Sequence, residues 1–393
     1  MQGSIWSIDL ESEVATELTS GSTYDSSPTW SPDGRWLVFT ADFDGERVQL
    51  HALDTETGET TALTDDDQLY LDPTFSPDGS QLAYVSTQPS GFYNVYVRSL
   101  ADGEWTGDPV AITYDNSYGT DRLYFGPDDM HLTPAWFPDG TELLLVSNRD
   151  VPLGSGNVLR VPARRHGIDD AKTVLAEQTL YRTRPDVSID GKRFVYSSTS
   201  GAADQFNNLY VQPTAGGEPY KLTFFQHDAF HPRWSPDGEW IAFISNQDGL
   251  PQLELLETYG GAHKRVDVSR REWARDTGTL RVHVRSQESG RPLPARVILT
   301  AADGKAYTPV DQFARIGHTG DHAFHTSGDF EVTVPAGEVQ FTIVHGFETQ
   351  PQSLRVEVAA GETTDETVAL ESLWDLGAAG CYSGSTHVHM NYA

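Results

Sequence analysis

The chain has 393 residues, 38% apolar and 11% aromatic, enough for a sizeable core spread over two or three domains. Its 57 Asp and Glu outnumber 27 Lys and Arg, and a formal charge of −30 repels phosphate backbones, which argues against nucleic-acid binding. A single cysteine excludes a disulfide framework, and 17 Phe, 16 Tyr and 9 Trp punctuated by 35 Gly and 22 Pro point to strands and turns, hence an all-β protein.

The start, Met1-Gln2-Gly3-Ser4-Ile5, lacks the basic and apolar regions of a secretory signal, and no apolar run reaches membrane-spanning length. Ile5-Trp6-Ser7-Ile8 through Glu17-Leu18-Thr19 reads as the outer half of a small sheet. Five similar segments follow: Pro28-Thr-Trp-Ser-Pro-Asp-Gly34, Pro73-Thr-Phe-Ser-Pro-Asp-Gly79, Pro134-Ala-Trp-Phe-Pro-Asp-Gly140, Pro185-Asp-Val-Ser-Ile-Asp-Gly191 and Pro232-Arg-Trp-Ser-Pro-Asp-Gly238. Their first prolines are 45, 61, 51 and 47 residues apart, the spacing of a four-stranded propeller blade. Proline presets φ for a tight turn, Asp bonds its own backbone, and Gly takes a positive φ. Each corner precedes a strand, such as Trp36-Leu-Val-Phe39 or Leu143-Leu-Leu-Val146, and several units close on Leu63-Thr64, Ile112-Thr113 or Leu222-Thr223. Over about residues 1 to 270 these features resemble the TolB-like (PD40-type) β-propeller, a repeat also found in prolyl-oligopeptidase-type propellers. The reading is five full repeats plus a partial blade, and residues 1–272 are assigned to the propeller.

After Asp276 the repeat stops and fresh alternation begins. Leu280-Arg-Val-His-Val284, Ala295-Arg-Val-Ile-Leu299, Phe330-Glu-Val-Thr-Val334, Val339-Gln-Phe-Thr-Ile-Val344 and Leu354-Arg-Val-Glu-Val358 predict a small antiparallel β-sandwich over 276–371. Pro335-Ala-Gly-Glu338 reads as a hairpin turn between two of its strands. The run Gly290-Arg-Pro-Leu-Pro-Ala-Arg-Val-Ile-Leu299 resembles the transthyretin-like, carboxypeptidase-regulatory-like modules.

The last residues, Tyr382-Ser-Gly-Ser-Thr-His387-Val-His389-Met-Asn-Tyr392, carry a His-x-His pair. On a strand, residues i and i+2 share a face, so both imidazoles could meet one ion. With the module order, this stretch resembles the CehA/McbA-type metallohydrolases, relatives of the PHP and amidohydrolase enzymes. That resemblance makes 372–393 the truncated start of a catalytic domain, with His387 and His389 as the first ligands of a divalent, zinc-type centre. The metal would lower the pKa of a bound water and polarise the scissile group. Ser385 stands where the family has Asp, and Cys381 where it has an aromatic. A zinc-type site needs three or four protein ligands, so no metal is expected to be held firmly by this chain, and alone it is not expected to be a competent enzyme.

Other groups read as structural. His227-Asp-Ala-Phe-His231 has histidines four apart, but just before a repeat corner they belong to a propeller loop. His318, His322 and His325, near Asp321, read as solvated loop histidines. Asp65-Asp66-Asp67 reads as a solvated loop rather than a calcium site. No Gly-x-Ser-x-Gly elbow occurs, which argues against a serine hydrolase of the prolyl-oligopeptidase kind. The leading expectation is a non-catalytic front end that docks or filters substrate for a metal-dependent hydrolase. Its alternative is a TolB-like scaffold holding a protein or peptide partner, with either ligand at the propeller mouth. The family resemblance suggests a periplasmic or secreted location. A carbohydrate-facing surface using Trp105 is a third reading.

Overall fold

The Pro-Asp-Gly corners fold alike, and their side chains explain the repeat. In the first, the Asp33 carboxylate accepts from the Arg35 amide at 3.1 Å, Ser31 Oγ accepts from the Trp36 amide at 2.8 Å, and the Gly34 amide donates to the Ser31 carbonyl at 2.9 Å. Ser76–Asp78, Ser188–Asp190 and Ser235–Asp237 repeat the arrangement. In the third copy Phe137 replaces the serine, and the Thr141 hydroxyl supplies the bond to Asp139. The five corner glycines lie at φ between +68° and +77°, where a Cβ is strained. Donors around Asp33, Asp78, Asp190 and Asp237, the serine hydroxyl foremost, hold these carboxyls below the ordinary carboxylate range. At Asp139 the Thr141 amide is the main cause.

The computed structural model describes residues 3–43, 45, 47–122, 126–151, 156–176, 184–199, 204–316 and 322–381. Its described residues form two compact units, one within 25–267 and one of 3–24 with residues between 268 and 381.

The first unit is a TolB-like β-propeller of five blades. Blade 1 is Tyr24–Trp30, Trp36–Asp42, Val48–Asp54 and Thr60–Ala62. Blade 2 is Tyr70–Phe75, Gln81–Ser86 and Asn94–Ala101, with Glu104–Trp105 and Val110–Ala111 both on the third strand. Blade 3 is His131–Trp136, Glu142–Ser147, Asn157–Pro162 and Lys172–Leu175. Blade 4 is Asp186–Val187, Arg193–Ser198, Asn208–Pro213 and Tyr220–Lys221. Blade 5 is Ala229–Trp234, Trp240–Ser245, Gln252–Glu257 and His263–Arg265. A separate ribbon of Ser117–Arg122 and Gly126–Asp128 fills the longest interval between repeats.

The second strands are apolar throughout because both of their faces are covered. In blade 2, Leu82 and Tyr84 join Val38 and Leu50 of blade 1, whereas Ala83 and Val85 join Leu143 and Leu145 of blade 3. In blade 3, Leu144 and Val146 turn the other way, onto Phe194 and Tyr196 of blade 4. The closing threonines clasp the outer strands: Thr64, Thr113 and Thr223 accept through Oγ1 from the amides of Leu50, Val95 and Leu209, each at 2.9 Å.

In the second unit, Thr277–Ser286 pairs antiparallel with Asp329–Pro335 and parallel with Thr363–Leu370. A facing sheet runs in the order 315–316, 322–326, 295–300, 337–344, 352–358. Leu280, Val282 and Val284 meet Val297, Phe324, Phe341 and Ile343 in its core. One expectation is corrected here. Pro335-Ala-Gly-Glu338 is not a hairpin turn, because Asp329–Pro335 and Gly337–Val344 belong to opposite sheets and the segment arches between them. The parallel pair also departs from a purely antiparallel sandwich. It arises because the chain builds the facing sheet before returning beside its first strand.

Residues 1–24, which by pattern read as part of the propeller, fall in this unit. Trp6–Asp9 and Val14–Glu17 form a pair that Arg270–Glu272 extends in parallel. The Ile5 amide donates to Thr19 Oγ1 at 3.0 Å, the same clasp as in the full blades, so this is the partial blade. Arg275 fixes it, contacting Glu17 at 2.6 Å and Asp303 at 2.7 Å.

Candidate ligand site on the propeller axis

Five residues stand immediately before the repeat prolines: Ser27, Asp72, Thr133 and His231 on innermost strands, and Arg184 just ahead of one. A residue before proline ordinarily takes extended backbone, and a non-glycine residue at positive φ is uncommon. Yet Ser27, Asp72, Thr133 and His231 lie at φ of +49°, +49°, +52° and +52°. In blades 2, 3 and 5 the pairing register slips at this point, between Leu71 and Thr74, Leu132 and Ala135, and Phe230 and Arg233. Proline has no amide to donate, so the ladder breaks there, and the resulting bulge re-aims the preceding side chain.

The result is a well of about 300 Å³ lined by inner-strand residues of all five blades. Ser27, Asp72, Thr133 and Arg184 line it together with Asp186 and Arg233, and Trp30, Phe75 and Trp136 supply apolar wall. Arg184 spans it, with Nη2 of this blade 4 residue 2.9 Å from Asp72 Oδ1 in blade 2 and Nη1 donating to Ser27 Oγ in blade 1 at 3.0 Å. From blade 5, Arg233 Nη1 donates to the Arg184 carbonyl at 2.9 Å, and the Trp234 amide donates to Asp186 Oδ2 at 2.8 Å. Burial in the well raises the Asp186 carboxyl and lowers the Arg233 guanidinium, although the Arg233 side chain still reaches solvent. His231 is held down to about 4, first by desolvation and then by the Arg184 and Arg233 charges. Such a well can recognise a polar group.

The residues singled out in the sequence are distributed differently. His387 and His389 lie outside the described residues, as do His318 and Asp321. His322 and His325 stand three apart on one strand and so on opposite faces, with His322 stacked on Tyr24 at 5.4 Å and His325 exposed. His227 stacks on Phe225 at 4.6 Å, apart from His231. Asp66 is engaged by the Tyr70 hydroxyl at 2.8 Å and by Gln88 at 2.9 Å. Trp105 packs against the core shared by blades 1 and 2. Its Nε1 donates to the Leu63 carbonyl at 2.7 Å, and Arg98 covers its ring at 4.8 Å. Among the described residues no group of three His, Cys, Asp or Glu is placed to hold a metal ion, and no helix is long and apolar enough to cross a membrane. Of the pre-proline residues only His231 stands out by pattern. The signal of the others lies in the repeat alignment, where hydroxyl, carboxylate, guanidinium and imidazole side chains share one column.

The family described as the TolB beta propeller domain (PD40) matches residues 2–107. An uncharacterized peptidase of Bacillus subtilis, YuxL, is 25% identical over 242 residues, 62% of this chain and 25% of that protein. Tricorn protease homolog 1 of Streptomyces coelicolor is 30% identical over 123 residues, 29% of this chain. The chain therefore spans 25% and 11% of these relatives' lengths. TolB from Acinetobacter baumannii superposes with a TM-score of 0.52 at 20% identity, over 66% of this chain and 58% of that one. A putative TolB from Agrobacterium tumefaciens gives 0.51 at 16% identity, over 68% and 92%. Both likenesses concern the fold.

Proposed function

We propose that this chain is a recognition module whose axial well holds a segment of a peptide, either a protein partner's or a substrate's. The observation that carries the reading is the ring itself. Strain is tolerated at four pre-proline positions, and the blades line the well with polar Ser27, Asp72, Thr133, Arg184 and, from blade 5, Arg233. Strain retained in a folded protein is most often tied to a site, because the surrounding structure must over-determine it. A mouth lined by apolar Trp30 and Trp136 with polar groups between them suits a ligand with both backbone and side chain.

The protein to which the chain belongs is, in this proposal, a hydrolase for amide- or ester-like substrates. The well would dock or filter substrate, and His387 and His389 would be two ligands of a divalent, zinc-type metal. The His-x-His motif and the peptidase and protease names of two partial relatives support this reading.

Panning a displayed heptapeptide library on the full chain, with an Arg184→Ala variant as counter-selection, tests the recognition step. Synthetic versions of the selected peptides should quench or shift tryptophan fluorescence through Trp30 and Trp136, and should lose affinity for the variant. Selected peptides that bind both proteins equally would place recognition elsewhere. For the hydrolytic part, His387→Ala and His389→Ala in the full-length gene product should abolish zinc-dependent hydrolysis. Unchanged activity would refute it.

A further inference from the structure

The charges in the well are not evenly matched. Arg184 is committed to Asp72 at 2.9 Å and to Ser27. Asp186 accepts from the Trp234 backbone, and burial raises its carboxyl toward the neutral form. Arg233 is different. Its Nη1 goes to the backbone carbonyls of Arg184 and Pro232 at 2.9 and 3.2 Å, and Asp186 and Asp72 support its charge through space, but among the described residues no carboxylate lies within ion-pairing distance of it. Its Nε and Nη2 have no partner among those residues. The guanidinium is therefore pinned at one nitrogen, crowded by protein, and open at its other edge to the well.

An arginine in that state is a receptor for a planar anion. Its fork matches a carboxylate bidentately, and because one nitrogen is already fixed, little rotamer freedom remains to be lost on binding. The local potential has a witness in His231. After burial, Arg184 and Arg233 are what disfavour its proton, with only Asp72 opposing them. The surrounding surface is the opposite, since the protein as a whole carries −30. Surface repulsion is screened beyond roughly 8 Å at physiological salt, so an anion at the well responds mainly to the groups that line it.

We propose that the peptide segment recognised in the axial well presents a carboxylate, which seats on the free edge of the Arg233 guanidinium. This rests on the recognition reading above and names its ligand chemistry. The carboxylate can come from the carboxyl terminus of a polypeptide or from an Asp or Glu side group, and the shared chemistry is what the well selects.

The test uses the 393-residue chain and four acetylated probes built on one peptide selected against the well. The first has a free C-terminal carboxylate, the second is its C-terminal amide, and the third and fourth are amidated with an internal Glu or Gln. Isothermal titration should give at least one carboxylate probe about tenfold tighter than its neutral counterpart, the gain of a charge-assisted pair. Whichever carboxylate wins identifies the source. In Arg233→Gln the ratio of carboxylate to neutral affinity should fall to about one, whatever the neutral probe's own affinity becomes, and Arg233→Lys should restore part of it, which also shows that the variants fold. Equal binding of carboxylate and neutral probes to the unaltered protein overturns the carboxylate assignment but leaves the recognition site standing. An advantage that survives in Arg233→Gln overturns it as well. Failure of all four probes to compete with the parent peptide, or no dependence on Arg184, removes the recognition site itself.

Discussion

The threonine clasp is the most direct test of how the outer strands of each blade are held. Thr223 is 3% exposed; its Oγ1 accepts from the Leu209 amide at 2.9 Å and donates to Asn208 Oδ1 at 2.9 Å. Thr223→Val keeps the shape and removes both bonds. Asn208 Oδ1 still accepts from the Phe225 amide at 2.8 Å, so the loss falls on the Leu209 amide, buried on a residue with no exposure. An orphaned buried donor costs about 1–3 kcal/mol. That cost is local to blade 4 and should speed exchange of the Leu209 amide proton by about tenfold to a hundredfold, at 1.4 kcal/mol per decade. Thr223→Ser, which keeps the oxygen and drops a methyl, should leave that amide protected. Hydrogen exchange resolved at Leu209, with the thermal midpoint alongside, measures both. If the valine variant protects Leu209 as well as the parent does, the hydroxyl is incidental and the clasp is mere packing.

Two further outcomes follow from the glycine turns and from the desolvated histidines. Glycine-to-alanine changes should rank Gly34, then Gly79, then Gly103 in loss of thermal midpoint. All three have φ near +75°, a strain of about 1–2 kcal/mol, but an added Cβ meets nothing at Gly34, the Pro32 ring at 3.1 Å at Gly79, and the Trp36 ring at 2.4 Å at Gly103. Equal losses would mean that packing around the corners does not matter. For pH, the corner aspartates have folded pKa values below their unfolded ones, so their stabilisation is present above about pH 3.9 and lost as pH falls through the folded values. His51, His227 and His231 are also lowered, each chiefly by burial, so their share is complete above about pH 6.5 and fades toward about 4, the value for His231. In about 1 M salt, where self-repulsion of the acidic protein is screened, the midpoint should therefore fall in two stages on acidification. A flat profile down to pH 4 would contradict the histidine part.

Most of the propeller was legible because its signals are local. Pro-Asp-Gly dictates a turn within four residues, and the run Leu143-Leu-Leu-Val146 can only be a strand covered on both faces. The arch at Pro335-Ala-Gly337 was not legible for the same reason. Alternation tells which residues of Phe330–Val334 and Val339–Val344 face the core, but a hairpin partner and a strand in the facing sheet present the same alternation to it. Nothing within those residues distinguishes a turn that stays in one sheet from one that crosses over. The competition is settled by the pairing of Thr277–Ser286 with Asp329–Pro335, far away in sequence.

The axial well shows a different limit. Its residues were in view as the positions before Pro28, Pro73, Pro134, Pro185 and Pro232, but a repeat alignment rewards what is constant, and these five are the column that varies. Rules for single residues also pointed away from them, since a residue before proline is expected to be extended and His231 reads as a loop histidine beside a corner. What the structure adds is convergence. Five small sheets turn about one axis, so side chains of separate blades come together, and Arg184 reaches residues 157 and 112 positions earlier in the sequence. In a repeat protein the scaffold is therefore written in what the copies share, and recognition in where they differ. A search for sites in such a protein should begin at the constant backbone kink with the least constant side chain.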